Sequence, residues 1–245
     1  MRLGVGVIRP FGQTVPVRIQ RASRHLTGIR TIMAQKAVVN SATDLPLDKA
    51  RWITLKKIDW TDQEGQSRTW EMAERKTRGS AGVDAVAILA ILNAPNRPPS
   101  TIIIEQFRPP VNAYVIELPA GLIDANESVE STAFRELEEE TGYKADKVLE
   151  ISPLMVCDPG MSSANMKLVA LNVPLSESET GPDGRPKSPK QKLEQGEHIV
   201  RRVVEIPNLK AELEEYEKRG FVVDARLSHF AIAWDMATKF GAGKL

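Results

Sequence analysis

Three glutamates in the middle of the chain, Glu136, Glu139 and Glu140, are spaced so that their side chains can act together. Residues three and four positions apart on a helix project from one side, so these carboxylates would lie close to each other. Like charges at that spacing repel, and a bound cation relieves the repulsion. Hard divalent ions prefer carboxylate oxygens, and Mg²⁺ commonly completes its shell with phosphate oxygens and water. The spacing therefore predicts a site for a divalent cation.

The residues around these glutamates predict a loop that enters a short helix. Asn126 or Ser128 can cap the start of the helix, and Gly142 can end it in a left-handed conformation. Apolar residues at helical spacing form the buried face: Val129, Ala133 and Leu137, with Phe134 beside them. A solvated acidic helix would explain the glutamates alone. It would not explain the arginine directly before them, a further glutamate at Glu127, and glycines at both ends.

The full pattern occupies residues 121–143 and resembles the Nudix box, G-x5-E-x7-R-E-U-x-E-E-x-G-U, where U is a bulky aliphatic residue. Every fixed position is present, and the one departure is the aromatic Tyr143 at the last U. Resemblance to the Nudix family implies a metal-dependent pyrophosphohydrolase that acts on a nucleoside diphosphate linked to another group. The box by itself says little about which group.

The composition is ordinary for a globular protein, since 42% of the 245 residues are hydrophobic and can form a sizeable core. No apolar run approaches the roughly 20 residues that a membrane-spanning helix needs, so we expect no membrane association. The single cysteine, Cys157, excludes an internal disulfide bond and fits a reducing compartment. A small buried side chain is its expected role, rather than a reactive thiol.

The N-terminal tract differs from the rest of the chain in charge. Residues 1–43 contain seven basic residues and no acidic one, although the whole chain has a net charge of only +1. Because this basic excess lies in a terminal tract rather than on a folded face, we expect no nucleic-acid partner.

Residues 1–32 predict a targeting sequence rather than a folded element. An apolar stripe at helical spacing runs through them, formed by Val15, Ile19, Ala22, Leu26 and Ile29. An Arg-rich, acid-free, amphipathic tract is typical of a mitochondrial presequence. A disordered tail, or an upstream extension with Met33 as the working start, fits the same residues. The expected location is the mitochondrial matrix if the tract is used, and otherwise the cytoplasm and nucleus.

Hydrophobic patterning predicts the elements that must position the glutamates. Two β-rich segments, 52–58 and 67–75, flank a turn containing Gly65 and predict a hairpin. Further strands are predicted at 83–92, 101–107, 114–118, 147–155, 166–173 and 199–206. Helices are predicted after Asn208 and over residues 224–239. Alternation of strands and helices indicates a chain of the α/β (α+β) class.

Motifs outside the box narrow the resemblance to the eukaryotic ADP-ribose (ADP-sugar) pyrophosphatases. They are the Trp52 segment and residues 68–71, 106–110, 117–122, 157–160 and 195–197. The resemblance covers about residues 42–240. It implies a Nudix α/β/α sandwich with a mixed sheet over residues 81–245. It also implies a small N-terminal antiparallel β-domain over residues 33–80, exchanged across a homodimer, which leaves residues 1–32 as a basic extension.

The resemblance also implies which residues bind the substrate. An adenine clamp would use one tryptophan from each subunit, Trp52 and Trp70. Aromatic rings can stack on a purine, although both residues could equally be core aromatics by composition alone. Arg75 and Arg108 would bind the phosphates and ribose of ADP-ribose or of another nucleoside diphosphate derivative.

The metal-binding and catalytic residues follow from the same resemblance. Mg²⁺, or Mn²⁺ in its place, would be bound by Glu136, Glu140 and the backbone carbonyl of Ala120, with Glu117 nearby. Arg135 would orient the carboxylates rather than touch the substrate.

Two residues compete for the role of general base. A glutamate on the loop after the box takes this role in the family and falls on Glu197, whereas other enzymes of the class use a box glutamate, here Glu139. Attack of water on ADP-ribose would give AMP and ribose 5-phosphate.

Other functions remain open on the sequence alone. Another ADP-sugar or an oxidised nucleoside diphosphate could be the substrate, because tryptophan stacking tolerates several purines. A non-catalytic Nudix domain that senses a nucleotide is the second class of function. Such domains typically lose box glutamates, and this chain keeps all four together with Arg135, which favours turnover.

Overall fold

The computed structural model describes residues 37–79 and 82–243. Residues 1–36, on which the presequence prediction falls, lie outside this part of the chain. None of the described helices combines the length and the apolar character that crossing a membrane requires.

The first two strands form a hairpin of their own, as predicted. β1 (Ile53–Thr61) pairs antiparallel with β2 (Ser67–Arg75) in a two-stranded sheet. The turn between them contains Gly65 at φ +76°, and the Asp62 carboxylate accepts the backbone N–H groups of Glu64 and Gln66. Most side chains of the hairpin are exposed. That residues 33–80 act as a separate domain stays a prediction.

Nine strands form the second sheet. They are β3 (Ala85–Asn93), β4 (Ser100–Arg108), β5 (Ala113–Glu117), β6 (Ala120–Leu122), β7 (Lys147–Ile151), β8 (Met155–Val156), β9 (Asn165–Pro174), β10 (Ile199–Glu205) and β11 (Val222–Val223). Their order is β11-β5-β4-β3-β9-β7, with β10 beside β4, β6 beside β3 and β8 beside β9. The sheet is mixed, since β3–β9 and β5–β11 are parallel pairs and the other pairs are antiparallel.

Helices cover both faces of this sheet. They are α1 (Val129–Thr141), α2 (Leu209–Lys218) and α3 (Ala225–Gly241). Ala133 and Leu137 of α1 belong to one buried core, whereas α2 and α3 contribute to a second core that contains Ile103 and Ile116. Neighbouring positions of β4, such as Ile102 and Ile103, point into different cores because side chains alternate along a strand. The predicted α/β/α sandwich with a mixed sheet is confirmed.

The predicted strand 147–155 is interrupted. The chain forms β7 up to Ile151, keeps one backbone hydrogen bond to β9 at Ser152, and forms the next strand only at Met155. Pro153 lies between these strands, and proline has no backbone N–H to donate to a sheet. Pro153 therefore explains the interruption, which the hydrophobic pattern did not reveal.

The box helix begins and ends at residues the sequence proposed. Of the two candidate caps, Ser128 takes the role, and its side chain accepts the backbone N–H of Ser131. Gly142 ends the helix at φ +77° and donates to the carbonyl of Glu138 at 2.8 Å. A Cβ at Gly142 would lie 2.5 Å from the carbonyl oxygen of Lys190. Glycine is therefore required here by backbone conformation and by a close approach of the chain.

We expect Gly142→Ala to lower the free energy of unfolding by about 2–3 kcal/mol, because it adds a backbone clash to the left-handed penalty. Urea denaturation at pH 7 measures this difference. Gly220→Ala is the matched control, since Gly220 has φ +86° but no atom lies within 4 Å of the place that a Cβ would occupy. The control should lose only about 1 kcal/mol. Equal losses in the two variants would show that the Lys190 contact is unimportant.

Candidate active site

A cavity of 730 Å³ opens on the α3 side of the large sheet. Among the residues predicted for the site, Arg75, Arg108, Glu117 and Ala120 line it. Apolar side chains form much of the remaining wall, including Ala85, Ala87, Leu89, Leu118, Leu168 and Phe230. A cavity lined by both arginines and apolar side chains suits a ligand that carries both anionic groups and a flat ring.

Arg135 is the centre of the glutamate cluster. Its Nε and Nη2 atoms donate to the two carboxylate oxygens of Glu127 at 2.9 and 2.8 Å. Its Nη1 atom donates to Glu136 at 2.8 Å and to Glu139 at 3.0 Å. This one guanidinium therefore holds the side chains of three box glutamates.

Glu136 and Glu140 connect α1 to the wall of the cavity. The Glu140 carboxylate accepts the backbone N–H of Ala120 at 3.0 Å, and the side chain is only 3% exposed. The Glu136 side chain fills the space beside Gly121 where any other residue would carry its Cβ. Ala120 and Gly121 both line the cavity, so these two glutamates reach its edge through the short strand β6.

The electrostatics of these glutamates favour a bound cation. Burial raises the pKa of Glu140 to about 9, and the negative charges of Glu136 and Glu197 act in the same direction. Burial also raises the pKa of Glu136, although Arg135 opposes this shift. A cation at this position would restore both charged forms, and carboxylate oxygens are suitable ligands for Mg²⁺. The residues present therefore fit the predicted metal.

Several of these carboxylates accept hydrogen bonds from arginines in the described structure. Arg108 donates to Glu117 at 2.7 Å, while Arg135 binds Glu136 and Glu139. In residues 37–79 and 82–243, no three potential ligands among the histidines, cysteines and acids converge in a metal-ready geometry. These carboxylates are therefore neutralised by arginines in the described structure.

Glu127 should make the protein sensitive to acid. The two hydrogen bonds from Arg135 lower its pKa to about 2 despite burial, and the Thr132 hydroxyl adds to this effect. A lowered pKa stabilises the folded state fully above the ordinary value of 4.5, and this stabilisation is lost as the pH falls towards 2. We expect Glu127→Gln to cost about 1–3 kcal/mol at pH 7 and much less at pH 3.

Urea denaturation of wild type and Glu127→Gln at pH 7 and pH 3 measures how the difference in their free energies of unfolding decreases. Glu130→Gln is the control, because Glu130 lies in the first turn of α1 and is exposed. A penalty for Glu127→Gln that stays constant from pH 7 to pH 3 would contradict the ion-pair explanation.

The negative charges of both candidates for the general base, Glu139 and Glu197, act on Glu136. Glu197 lies in a turn directly before β10, where its carboxylate accepts the backbone N–H of Glu194 at 3.2 Å. Its negative charge raises the pKa of both Glu136 and Glu140, although Glu197 lies far from them in sequence. The half-buried Glu139 accepts a hydrogen bond from the Arg135 Nη1 atom at 3.0 Å.

The two tryptophans of the predicted clamp lie apart within one chain. Trp70 pairs in register with Ile58, which is six positions from Trp52 along the hairpin, a separation of about 20 Å. Stacked rings lie about 4.5–7 Å apart, so one chain cannot hold one adenine between both side chains. Trp52 is 58% exposed and Trp70 is 51% exposed. Trp70 is oriented by its indole N–H, which donates to the carbonyl of Gly160 at 3.0 Å.

At the cavity, the structure corrects the expectation for Cys157 and adds residues that sequence reasoning missed. Cys157, expected to be buried, is exposed and lines the cavity, because its turn at 157–160 faces that opening. Asp224 and Arg226 also line the cavity, where the Arg226 Nε donates to Asp224 at 2.9 Å. From the sequence, Asp224 was predicted only as the start of a helix. Its position beside β5 depends on the backbone hydrogen bond from Asp224 to Ile116.

Comparisons with known proteins show what this chain resembles in sequence and fold. The pattern of the NUDIX domain matches residues 83–159. The chain is 42% identical to an uncharacterised Nudix hydrolase of Schizosaccharomyces pombe, over 84% of this chain and 97% of that protein. It is 39% identical to the ADP-ribose pyrophosphatase of Saccharomyces cerevisiae, over 78% of this chain and 80% of that enzyme. The crystal structure of an ADP compounds hydrolase shares the fold with a TM-score of 0.52 at 18% identity, covering 85% and 96% of the two chains.

Proposed function

Because this chain belongs to the Nudix hydrolase family, we propose that it hydrolyses the diphosphate of ADP-ribose to AMP and ribose 5-phosphate. The observation that carries the proposal is the cluster of Glu136 and Glu140 at the edge of an arginine-lined cavity. The resemblance to a yeast enzyme named ADP-ribose pyrophosphatase supports the choice of substrate.

We further propose that the metal is Mg²⁺, with Mn²⁺ able to replace it. Glu136, Glu140 and the Ala120 carbonyl would hold it, with Glu117 as a further ligand. A bound divalent ion would offset the negative charge of the diphosphate and acidify an attacking water. Arg135 would hold the box carboxylates in place for the metal through its hydrogen bonds to Glu136 and Glu127.

Substrate binding and proton transfer would fall to other side chains, of which Arg75 and Arg108 line the cavity. Arg75 and Arg108 would bind the phosphates, and Trp52 and Trp70 the adenine. Glu197 would remove the proton from water as the new oxygen–phosphorus bond forms and the bridging phosphorus–oxygen bond breaks. Glu139 is the competing base, and comparing Glu197→Gln with Glu139→Gln decides between them.

The direct test is product analysis by chromatography after incubation with ADP-ribose and Mg²⁺. AMP and ribose 5-phosphate should form in equal amounts, and EDTA should stop the reaction. Other ADP-sugars and an oxidised nucleoside diphosphate at matched concentration test the alternative substrates. Binding of ADP-ribose with no turnover under any metal would instead establish the second class of function, a nucleotide-sensing domain.

A homodimer would complete the substrate site. The hairpin exposes Trp52, Leu55 and Trp70 on a two-stranded sheet, and isolated hairpins are at best marginally stable in water. At about 3.3 Å per strand residue, the separation of roughly 20 Å between Trp52 and Trp70 supports a clamp built from two subunits.

Subunit complementation tests this arrangement. Trp52→Ala and Trp70→Ala homodimers should each bind ADP-ribose weakly, because every clamp lacks one ring. After the two variants are mixed and reassembled, about a quarter of wild-type activity should return, since half of the dimers are mixed and each has one intact site. Trp60→Ala is the control on the same hairpin. A fully active monomer in sedimentation experiments would contradict the proposal.

The location of the protein rests on residues 1–32 alone. We expect this tract to direct a fluorescent reporter to the mitochondrial matrix when it is used as a presequence. Substitution of Arg18 and Arg21 by glutamate should abolish import. A reporter that stays in the cytoplasm and nucleus would instead support a start at Met33. No membrane or nucleic-acid partner is proposed.

A further inference from the structure

The last turn of α1 is completed by a segment far away in sequence. The final carbonyl groups of a helix have no partners inside the helix. The Glu139 carbonyl accepts the backbone N–H of Lys192 at 2.8 Å. The Glu140 carbonyl accepts the side-chain amide of Gln191 at 2.6 Å. The helix that carries the metal-binding glutamates is therefore finished by residues that lead directly to Glu197.

The amide of Gln191 joins two parts of the site. Its Nε2 atom donates to the Glu140 carbonyl and also to the carbonyl of Ile199 at 3.1 Å, using both hydrogens of one NH₂ group. Ile199 is buried and begins β10, two residues after Glu197. Between these fixed points the chain turns through Gly196, and the backbone N–H of Glu197 donates to the carbonyl of Glu194 at 3.1 Å. One side chain therefore sets the spacing between the box helix and the turn that holds Glu197.

The beginning of the segment 187–192 is held by Tyr143, the aromatic residue at the last position of the box. The hydroxyl of Tyr143 donates to the carbonyl of Lys187 at 2.6 Å. Arg201 lies over the Tyr143 ring at 5.8 Å, and its guanidinium donates to the carbonyl of Pro189. An aliphatic residue at position 143 could not donate this hydrogen bond. Residues 187–192 are thus held against α1 from both ends.

We propose that Gln191 is a positioning residue that holds Glu197 against the metal-binding glutamates. Gln191 does not line the cavity, so it acts through Glu197 and through the end of α1 rather than on the substrate. The inference rests on the proposed function. Displacing a reacting group by about 1 Å can cost about 100-fold in rate, so this contact should affect turnover more than substrate binding.

Gln191→Met tests the proposal, because methionine keeps the length of the side chain and removes both donated hydrogen bonds. With Mg²⁺ and ADP-ribose, kcat should fall roughly 10- to 100-fold, while KM changes less than about twofold. Lys192→Met is the matched control on the adjacent residue. It removes only the ion pair with Glu138, at 2.5 Å on the surface, and should leave kcat unchanged.

A double-mutant cycle separates positioning from a general structural effect. In the Glu197→Gln background, Gln191→Met should lower kcat little further, because the group it positions is already lost. Independent, additive losses in the double variant would overturn the proposal. A normal kcat in Gln191→Met or in Glu197→Gln would overturn it as well. A wild-type protein that does not hydrolyse ADP-ribose would instead refute the proposed function. Melting temperatures of all variants check that the fold is retained.

Discussion

Glu140→Gln should lower kcat for ADP-ribose by about 1,000-fold or more, with little change in the fold. Glutamine matches glutamate in size but cannot carry the charge that would hold a cation. The Glu140 carboxylate is almost fully buried and its only described hydrogen bond comes from the Ala120 backbone N–H. The loss should therefore fall on the transition state, where charge on the diphosphate is greatest. Steady-state kinetics at saturating Mg²⁺ measure it.

Glu138→Gln is the control for this variant. Glu138 belongs to the same helix but is paired at the surface with Lys144 and Lys192. Its removal should leave kcat near the wild-type value. Near-normal turnover of Glu140→Gln at saturating metal would show that Glu140 is not a metal ligand.

In the metal-free protein, Glu140→Gln should leave thermal stability unchanged or raise it, although it lowers activity. The pKa of Glu140 is raised to about 9 by burial, so the metal-free folded state retains a proton that the unfolded chain loses near 4.5. Stability of the metal-free protein therefore falls as the pH rises between these values, and glutamine removes this cost. We expect metal-free Glu140→Gln to melt at or above the wild-type temperature at pH 8. This result would exclude misfolding as the cause of inactivity.

Gly121→Ala should reduce activity at limiting Mg²⁺ by about 100-fold or more, although it adds only one methyl group. The Cβ of alanine would overlap the Glu136 carboxylate and force that side chain away from the cavity edge. Backbone strain is not the reason, since the φ of Gly121 lies outside the left-handed region. Excess Mg²⁺ should recover part of the loss, because the variant weakens metal binding rather than the substrate clamp.

Titration of activity against Mg²⁺ measures this shift. Gly79→Ala is the control, because a Cβ at Gly79 meets no atom within 4 Å. An unchanged Mg²⁺ dependence in Gly121→Ala would mean that Glu136 can bind metal from another rotamer. The assignment of Gly121 as a spacer for Glu136 would then be wrong.

The sequence by itself determined the local geometry of the site. Helix periodicity and capping depend on residues within a few positions of one another, so the pattern from Gly121 to Gly142 predicted α1, its cap and the grouping of the glutamates. Strand and helix positions followed from the hydrophobic pattern, and the sandwich followed from the family resemblance. The error in the 147–155 strand came from Pro153, which disrupts pairing without altering hydropathy.

Only the tertiary structure decided burial, ion pairing and distance between remote residues. The 3% exposure of Glu140 and the pairing of Arg108 with Glu117 depend on which strands and helices pack together. The exposure of Cys157 and the position of Gln191 depend on how turns and segments far apart in sequence fold against them. Such contacts leave no periodic signal, because their partners lie from nine to about fifty residues apart and chain packing, rather than helix or strand spacing, brings them together.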